Sequence, residues 1–254
     1  MNKVIKLIGA TRKARLKRDG NIKLGKTIAT WSTLFSDAEW NIPELGITVS
    51  GTCGEHCKGC KGSCYVKKSY DRYTQKGTGR CSVKLGHAIR TILLRYYPEK
   101  VFSDLDSQIK KARNPIQIVR WNQSGEIENE IQFGILCRLA ENNPDVKFFV
   151  YTKNYGVVVP ALLAGKVPEN LTVLISIWHM YGVAEYKKVA HLDNVKAFVY
   201  DDRTFKYEIV GIHIDTYCKA YDEKGHMDHN ITCDICTKCF NRYKGHKVIG
   251  CYAH

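Results

Sequence analysis

Six short runs of aliphatic, β-branched and aromatic residues punctuate the chain: Leu45–Ser50, Ile116–Trp121, Val146–Thr152, Leu171–Ile177, Val195–Tyr200 and Ile209–Ile214. Most are apolar throughout rather than alternating, which predicts strands buried on both faces of a parallel sheet. Helical spacing fills the intervals, over Ser82–Tyr97, Glu99–Arg113, Glu126–Asn142, Val157–Ala164 and Val183–Ala190. The third of these is the clearest, because Ile127, Ile131, Ile135 and Leu139 recur every four residues, with Leu136 and Ala140 widening the same face. The pattern puts Glu126, Glu128 and Glu130 in its first turn, where the helix dipole favours acids, and Asn142-Asn143-Pro144 stops it.

Strands alternating with helices imply parallel βα units. About 170 residues are too few for eight such units, so the expected fold is α/β, a TIM-barrel-like (βα) barrel that is partial and six-stranded. An open, doubly wound sheet is the alternative. Residues 45–217 would form this barrel. Residues 1–44 read as a basic lead-in, with a short strand at Val4–Ile8 and a solvated charge run of Arg12, Lys13, Arg15, Lys17 and Arg18. Residues 218–254 read as a cysteine- and glycine-rich appendage. No apolar run approaches the eighteen or so residues of a membrane span, and the N-terminus returns to lysine and arginine before a secretory core could form. The expectation is a cytoplasmic protein with no membrane partner.

Charge changes this picture in one half only. Residues 1–113 carry 23 Lys and Arg against 9 Asp and Glu, while residues 114–254 carry 16 of each. The whole net charge of +14 thus sits in the first half. Such asymmetry fits a nucleic-acid or other polyanion partner, and equally a well-solvated surface.

The 11 cysteines are odd in number and clustered, which argues for metal or redox chemistry over a disulfide framework. Cys53, Cys57 and Cys60 have the spacing CxxxCxxC in a glycine-bearing loop after the first predicted strand, and Cys64 follows. Three thiolates so spaced can hold three irons of a 4Fe–4S cubane, whereas four cysteines within twelve residues could instead close a tetrahedral zinc site. Cys233, Cys236 and Cys239 form CxxCxxC, the spacing of the first three ferredoxin ligands, with Cys218 or Cys251 available as a fourth. Metal binding would also staple a tail with little apolar content. Cys81 and Cys137 read as plain thiols, Cys137 beside the apolar face of its helix. His226, His229, His246 and His254 read as surface polar residues.

The order of these features resembles the radical S-adenosylmethionine (SAM) enzymes. The resemblance rests on CxxxCxxC after a strand, on Asn122-Gln123-Ser124-Gly125-Glu126 closing the next strand, on VKFFVYTKN and on ISIWH. The Ser-Gly-Glu looks like that family's Gly-Gly-Glu motif, and it implies a SAM site lined by Asn122, Gly125 and Glu126. The cysteine-rich tail is similar to auxiliary-cluster extensions. Two departures stand out: Gly59 replaces the aromatic usual before the third cysteine, and Cys64 could ligate the fourth iron and so exclude SAM. A second resemblance, covering about residues 45–155, is to a phage family called gene product 88. It is carried by TCGEHCKGCKGSCY, VRWNQSGE and FFVYTKN. It implies a phage or prophage origin, hence the host cytoplasm, and no established activity.

Three functions follow from the sequence. The first is an enzyme in which a 4Fe–4S cluster at Cys53, Cys57 and Cys60 cleaves SAM, with an electron donor as partner. The second is a non-SAM iron–sulfur redox or hydrolytic protein with one or two clusters fully held by cysteine. The third is a zinc-binding nucleic-acid module, whose basic half and Tyr65, Tyr70, Tyr73, Tyr96 and Tyr97 would track phosphates and stack bases.

Overall fold

The computed structural model describes residues 2–17, 27–60, 64–224, 226, 228, 230–241 and 245–252, without the side chains of 57–59 and 65. Arg18, His229, His254 and the side chains of Cys57 and Tyr65 lie outside the described residues. In chain order the elements are α1 (Lys3–Thr11), β1 (Ile28–Thr30), β2 (Glu39–Ile42), β3 (Ile47–Ser50), a 3-10 turn at Gly54–Gly59, α2 (Tyr65–Tyr73), α3 (Ser82–Tyr96) and α4 (Pro98–Lys110). There follow β4 (Ile118–Trp121), α5 (Glu130–Glu141), β5 (Lys147–Thr152), α6 (Tyr155–Leu163), β6 (Leu171–Trp178), α7 (Val183–Val189) and β7 (Val195–Asp201). A 3-10 turn at Tyr207–Val210, β8 (Thr216–Tyr217), α8 (Cys233–Cys236) and β9 (Val248–Tyr252) complete the chain.

The described residues build a seven-stranded parallel sheet in the order β1-β4-β5-β6-β7-β9-β8, beside a two-stranded antiparallel hairpin of β2 and β3. The sheet ends at β1 and β8 without closing, so it is neither a closed barrel nor six-stranded. From β4 to β7 each strand lies next to its successor, and right-handed crossovers of that kind put every connecting helix on one face. The winding of these strands is thus single; the order reverses where β9 returns between β7 and β8, and that connection carries α8 and the tail onto the other face.

Residue alternation along the strands shows the consequence. Trp121, Phe148, Val150, Val173, Ile175, Ala197 and Val199 face the helices and share a core with Leu136, Val158, Leu162 and Val189. Their neighbours Ile118, Phe149, Leu174 and Ile249, with Ile28, face the other way and pack with Phe240 of the tail. Both faces are therefore buried, as the unbroken apolar runs require.

The tail spans this second face. Phe240 packs on Phe149 with ring centroids 5.0 Å apart. At one side Asp234 accepts from the Thr27 hydroxyl at 3.0 Å, just before β1. At the other, the buried Lys196 Nζ on β7 donates to the carbonyls of Lys238 at 2.6 Å and Asn241 at 2.8 Å. The sheet thus takes β1 from the basic segment 1–44 and β9 from the cysteine-rich segment 218–254, so neither stands apart from it.

Several expectations are corrected. Val4–Ile8 is helical, because the Asn2 side chain accepts from the Val4 amide at 2.9 Å and caps α1. Leu45–Ser50 is no part of the parallel sheet: Ile47–Ser50 pairs with β2 across a turn in which Leu45 N donates to Ile42 O at 2.9 Å. Ile209–Ile214 is interrupted by Gly211 at φ +68°, and the chain joins the sheet only at β8. The helix after β4 begins at Glu130, since Asn129 caps it by accepting from Gln132 N at 3.0 Å, leaving Glu126 and Glu128 ahead of its first turn. Cys137 is a buried thiol on this helix, pushed up to about 12 by burial and then by Glu141. No helix among the described residues is long and apolar enough to cross a membrane.

Truncating Phe240 to alanine should cost about 3–5 kcal/mol and release the tail from the sheet. Urea unfolding with limited proteolysis measures both effects, and a tail as protease-resistant as in the wild type would contradict this packing.

Candidate functional site at the C-terminal edge of the sheet

Side chains at the carboxyl ends of parallel strands converge in a way that the strand interiors do not. Here the convergence is built from hydroxyls. Trp31, just past β1, stacks on Trp121 of β4 at 5.3 Å, and its amide donates to Arg120 O at 3.0 Å. Past the stack, Thr33 N donates to Ser124 O at 2.9 Å, and Ser124 Oγ donates back to Thr33 O at 2.9 Å.

Thr52 then ties the cysteine loop to this junction. Its hydroxyl donates to Leu34 O at 2.7 Å and accepts from Glu126 N at 2.8 Å. Because its proton is committed to Leu34, Thr33 Oγ1 must be the donor in the 3.1 Å contact between the two threonines. Gly125 sits against this pair at φ +82°, where a Cβ would collide with both hydroxyls. Its glycine is required both by conformation and by space. One residue on, Cys53 N donates to Ser36 O at 3.1 Å and Ser36 N donates to Cys53 Sγ at 3.2 Å.

Glu126 is buried and already engaged. Its carboxylate accepts from Ile127 N at 2.9 Å, Thr152 Oγ1 at 2.7 Å and Lys153 N at 2.8 Å, joining the end of β4 to the end of β5. It therefore acts first as a bracket. Arg95 braces the same loop from α3. Its guanidinium pairs with Glu128 through Nε and Nη2, and it also donates to Ser50 O, Ser50 Oγ and Gly51 O, each at 3.0 Å. Asn122, at the end of β4, adopts φ +51° and is buried, and neither its amide nitrogen nor its oxygen has a hydrogen-bond partner.

Lys153 follows β5 at this edge. Burial pulls its ammonium down, but Cys60, Glu126, Cys53 and Cys64 together outweigh burial and hold it above the usual lysine value. Its Nζ also lies 5.8 Å from the Trp178 ring.

The second cysteine group lies two residues back along β5. The Cys239 thiol is pushed up to about 12, first by burial and then, against a hydrogen bond from Tyr151, by Cys218, Cys233 and Cys236. Tyr151 is itself held far above the usual tyrosine value by burial and by Cys239, and it carries Arg120 over its ring at 4.7 Å. Cys218 is the fourth sulfur acting on this group. Cys251 lies buried in β9, its thiol directed to Tyr252 O at 3.7 Å. Phe149 and Tyr151 alternate along β5 and share the face that the tail covers, while Lys153 lies one residue past the strand. Cys233 and Cys239 pack beside Tyr151 on the tail-covered face, whereas Cys53 and Cys64 pack against the helix-side core. Among the described residues, no three Cys, His, Asp or Glu side chains already close around a single ion.

Thr33, Thr52, Arg95, Tyr151, Lys153 and Lys196 were not singled out by the sequence reading. Only Thr52 and Lys153 carry a signal, through their places beside Cys53 and at the end of a predicted strand.

Behind the loop, Tyr70 and His87 form a buried pair, with Tyr70 Oη 2.8 Å from His87 Nδ1. Burial, then Arg90 and Lys17, hold His87 well below its ordinary value. Unfolding frees it to bind a proton near pH 6.5, so the unfolded state gains protons first as pH falls. Stability should therefore drop below pH 6.5, by up to about 1.4 kcal/mol per unit, until the folded histidine also protonates. Denaturation of His87→Asn between pH 7 and 5 should show a shallower acid limb, and parallel limbs would contradict this assignment. Gly125→Ala should cost about 2–4 kcal/mol through forced φ and overpacking, measured as a fall in urea midpoint. An unchanged midpoint would mean that the threonine pair has room to move.

The family model described as Gene product 88 matches residues 7–242. No curated protein and no solved structure matches the chain. The match runs from α1 through both cysteine groups and nearly the whole sheet, and on that span the chain belongs to the Gene product 88 family.

Proposed function

We propose that this chain is an iron–sulfur protein. Cys53, Cys57 and Cys60, with Cys64 in reach, would hold one 4Fe–4S cluster. Cys233, Cys236, Cys239 and Cys218 would hold a second. The sheet, singly wound from β4 to β7, would curl as a partial barrel around them. The observation that carries this reading is the packing of Cys233 and Cys239 together beside Tyr151 under the tail, with the loop cysteines following Thr52 at the ends of β4 and β5.

The surroundings suit the group. The donors are sulfurs in buried or half-buried positions, where four apposed thiols gain from a cation that takes up their charge. Lys153 offers a counter-charge to an anionic cluster, and the Ser36 amide already donates to the Cys53 sulfur. A bound cluster would supply one-electron chemistry. The protein's own part is to exclude water with Phe240 and Phe149, to fix the loop through Thr52, and to set the charge at its edge with Lys153 and Arg120.

A second reading, SAM chemistry at the loop cluster, is favoured by one observation: the buried Asn122 amide has both atoms unpaired at the end of β4, beside Gly125 and Glu126. In that reading Asn122 would bind the ligand, and Glu126 would keep the pocket in shape through its three bonds.

Anaerobically purified protein tests both. Cys57→Ala and Cys236→Ala should each lose about half of the bound iron and sulfide if each belongs to its own cluster. A SAM-dependent change in the EPR spectrum of the reduced Cys236→Ala variant would add the second reading. Loss of all iron from either variant would point to one shared cluster, and full retention in both would overturn the ligand assignment.

A further inference from the structure

On the helical side of the fold, the segment after α1 meets α3 around a cavity of about 590 Å³. Arg12, Lys13, Arg15, Lys17 and Arg90 line it, over an apolar floor that includes Leu93. The volume is within the usual range for small-ligand sites. Among the described residues no acidic side chain lines it.

Arg90 is the informative member, being only 8% exposed. Its Nε donates to Ser32 O at 2.6 Å, and its guanidinium lies 6.0 Å from the Trp31 ring. No carboxylate among the described residues pairs with Arg90, Arg12, Lys13 or Arg15. A buried guanidinium normally has an acid to offset its desolvation. Here Arg90 is fixed by one carbonyl, and its outer nitrogens have no partner among the described residues. Gly86, one turn earlier, lies beside those nitrogens, where a Cβ would sit 3.6 Å away in ordinary contact. Arg90 and Lys17 also both help to hold the neighbouring His87 neutral.

We propose that this cavity binds a ligand carrying two or more neighbouring phosphoryl groups. Arg90 takes one phosphate through its guanidinium fork, and the mobile-stemmed cations of the rim take the next. No aromatic ring lines the cavity, so recognition is of phosphate and not of a stacked base. A compact polyphosphate and the backbone of a single-stranded nucleic acid both present this chemistry. The site is separate from the cysteine reading and does not depend on it.

The test uses the full chain with two probes: inorganic tripolyphosphate by calorimetry, and a labelled oligothymidylate by anisotropy. For about three phosphate contacts, oligothymidylate binding should weaken ten- to twentyfold between 50 and 200 mM salt. Arg12→Glu/Arg15→Glu should weaken either probe at least tenfold, whereas Lys166→Glu/Lys224→Glu, the same charge change elsewhere, should weaken it less than threefold. Arg90→Lys, checked for folding by circular dichroism, should lose the tightest contact. Binding of tripolyphosphate alone would support the proposal with a compact ligand. Mutual competition of the probes would support it with a nucleic-acid backbone. Binding of neither probe, or equal losses in the two charge-matched double variants, would overturn it.

Discussion

One threonine hydroxyl carries the junction on which the candidate site depends. Thr52 donates to Leu34 past β1, receives Glu126 at the end of β4, and leads directly into Cys53. Glu126 then extends the chain of bonds to Thr152 and Lys153 at the end of β5. Three strand ends and the cysteine loop are thereby fixed to each other through buried polar contacts. Such contacts are strong because water cannot replace any of them, and removing one member leaves the others unsatisfied. Gly125 is the geometric condition for the whole junction, since only a residue without Cβ fits beside the two threonines.

The tail solves a different problem. Single winding from β4 to β7 leaves one face of the parallel sheet without their connecting helices, and an apolar face cannot stay open to water. Residues 233–241 cover it from Thr27 to Lys196, with Phe240 as the apolar anchor and the Lys196 ammonium satisfying two tail carbonyls. The same segment packs Cys233 and Cys239 beside Tyr151. Cysteine placement and core closure are therefore one structural act, which gives a physical reason for a cysteine-rich segment to end in a strand, β9, inserted between β7 and β8.

Much of this was legible in the chain, and what was not has identifiable causes. The runs at 116–121, 146–152, 171–177 and 195–200 are strands because their positions are buried on both faces, and burial is what an unbroken apolar run reports. β1 was missed because three residues among lysines and threonines carry no periodicity. Its place in the sheet comes from pairing with β4. The run at 45–50 misled because β-branched content marks a strand but not its partner, and the turn before it commits it to a hairpin. The cysteine loop and Ser-Gly-Glu fall at the carboxyl edge of the sheet, where β4 and β5 end. The supporting residues Thr33, Arg95, Tyr151 and Lys196 owe their roles to contacts between distant segments, which a linear pattern does not encode.

Cysteine spacing and the packing of Cys233 with Cys239 beside Tyr151 together make the central claim one of metal identity. The direct measurement is iron, zinc and acid-labile sulfide per chain in protein purified without oxygen. The account predicts about eight irons and about eight sulfides, two cubanes, with little zinc. Zinc bound without sulfide would contradict it and would leave the cysteine groups as structural staples of the tail and loop.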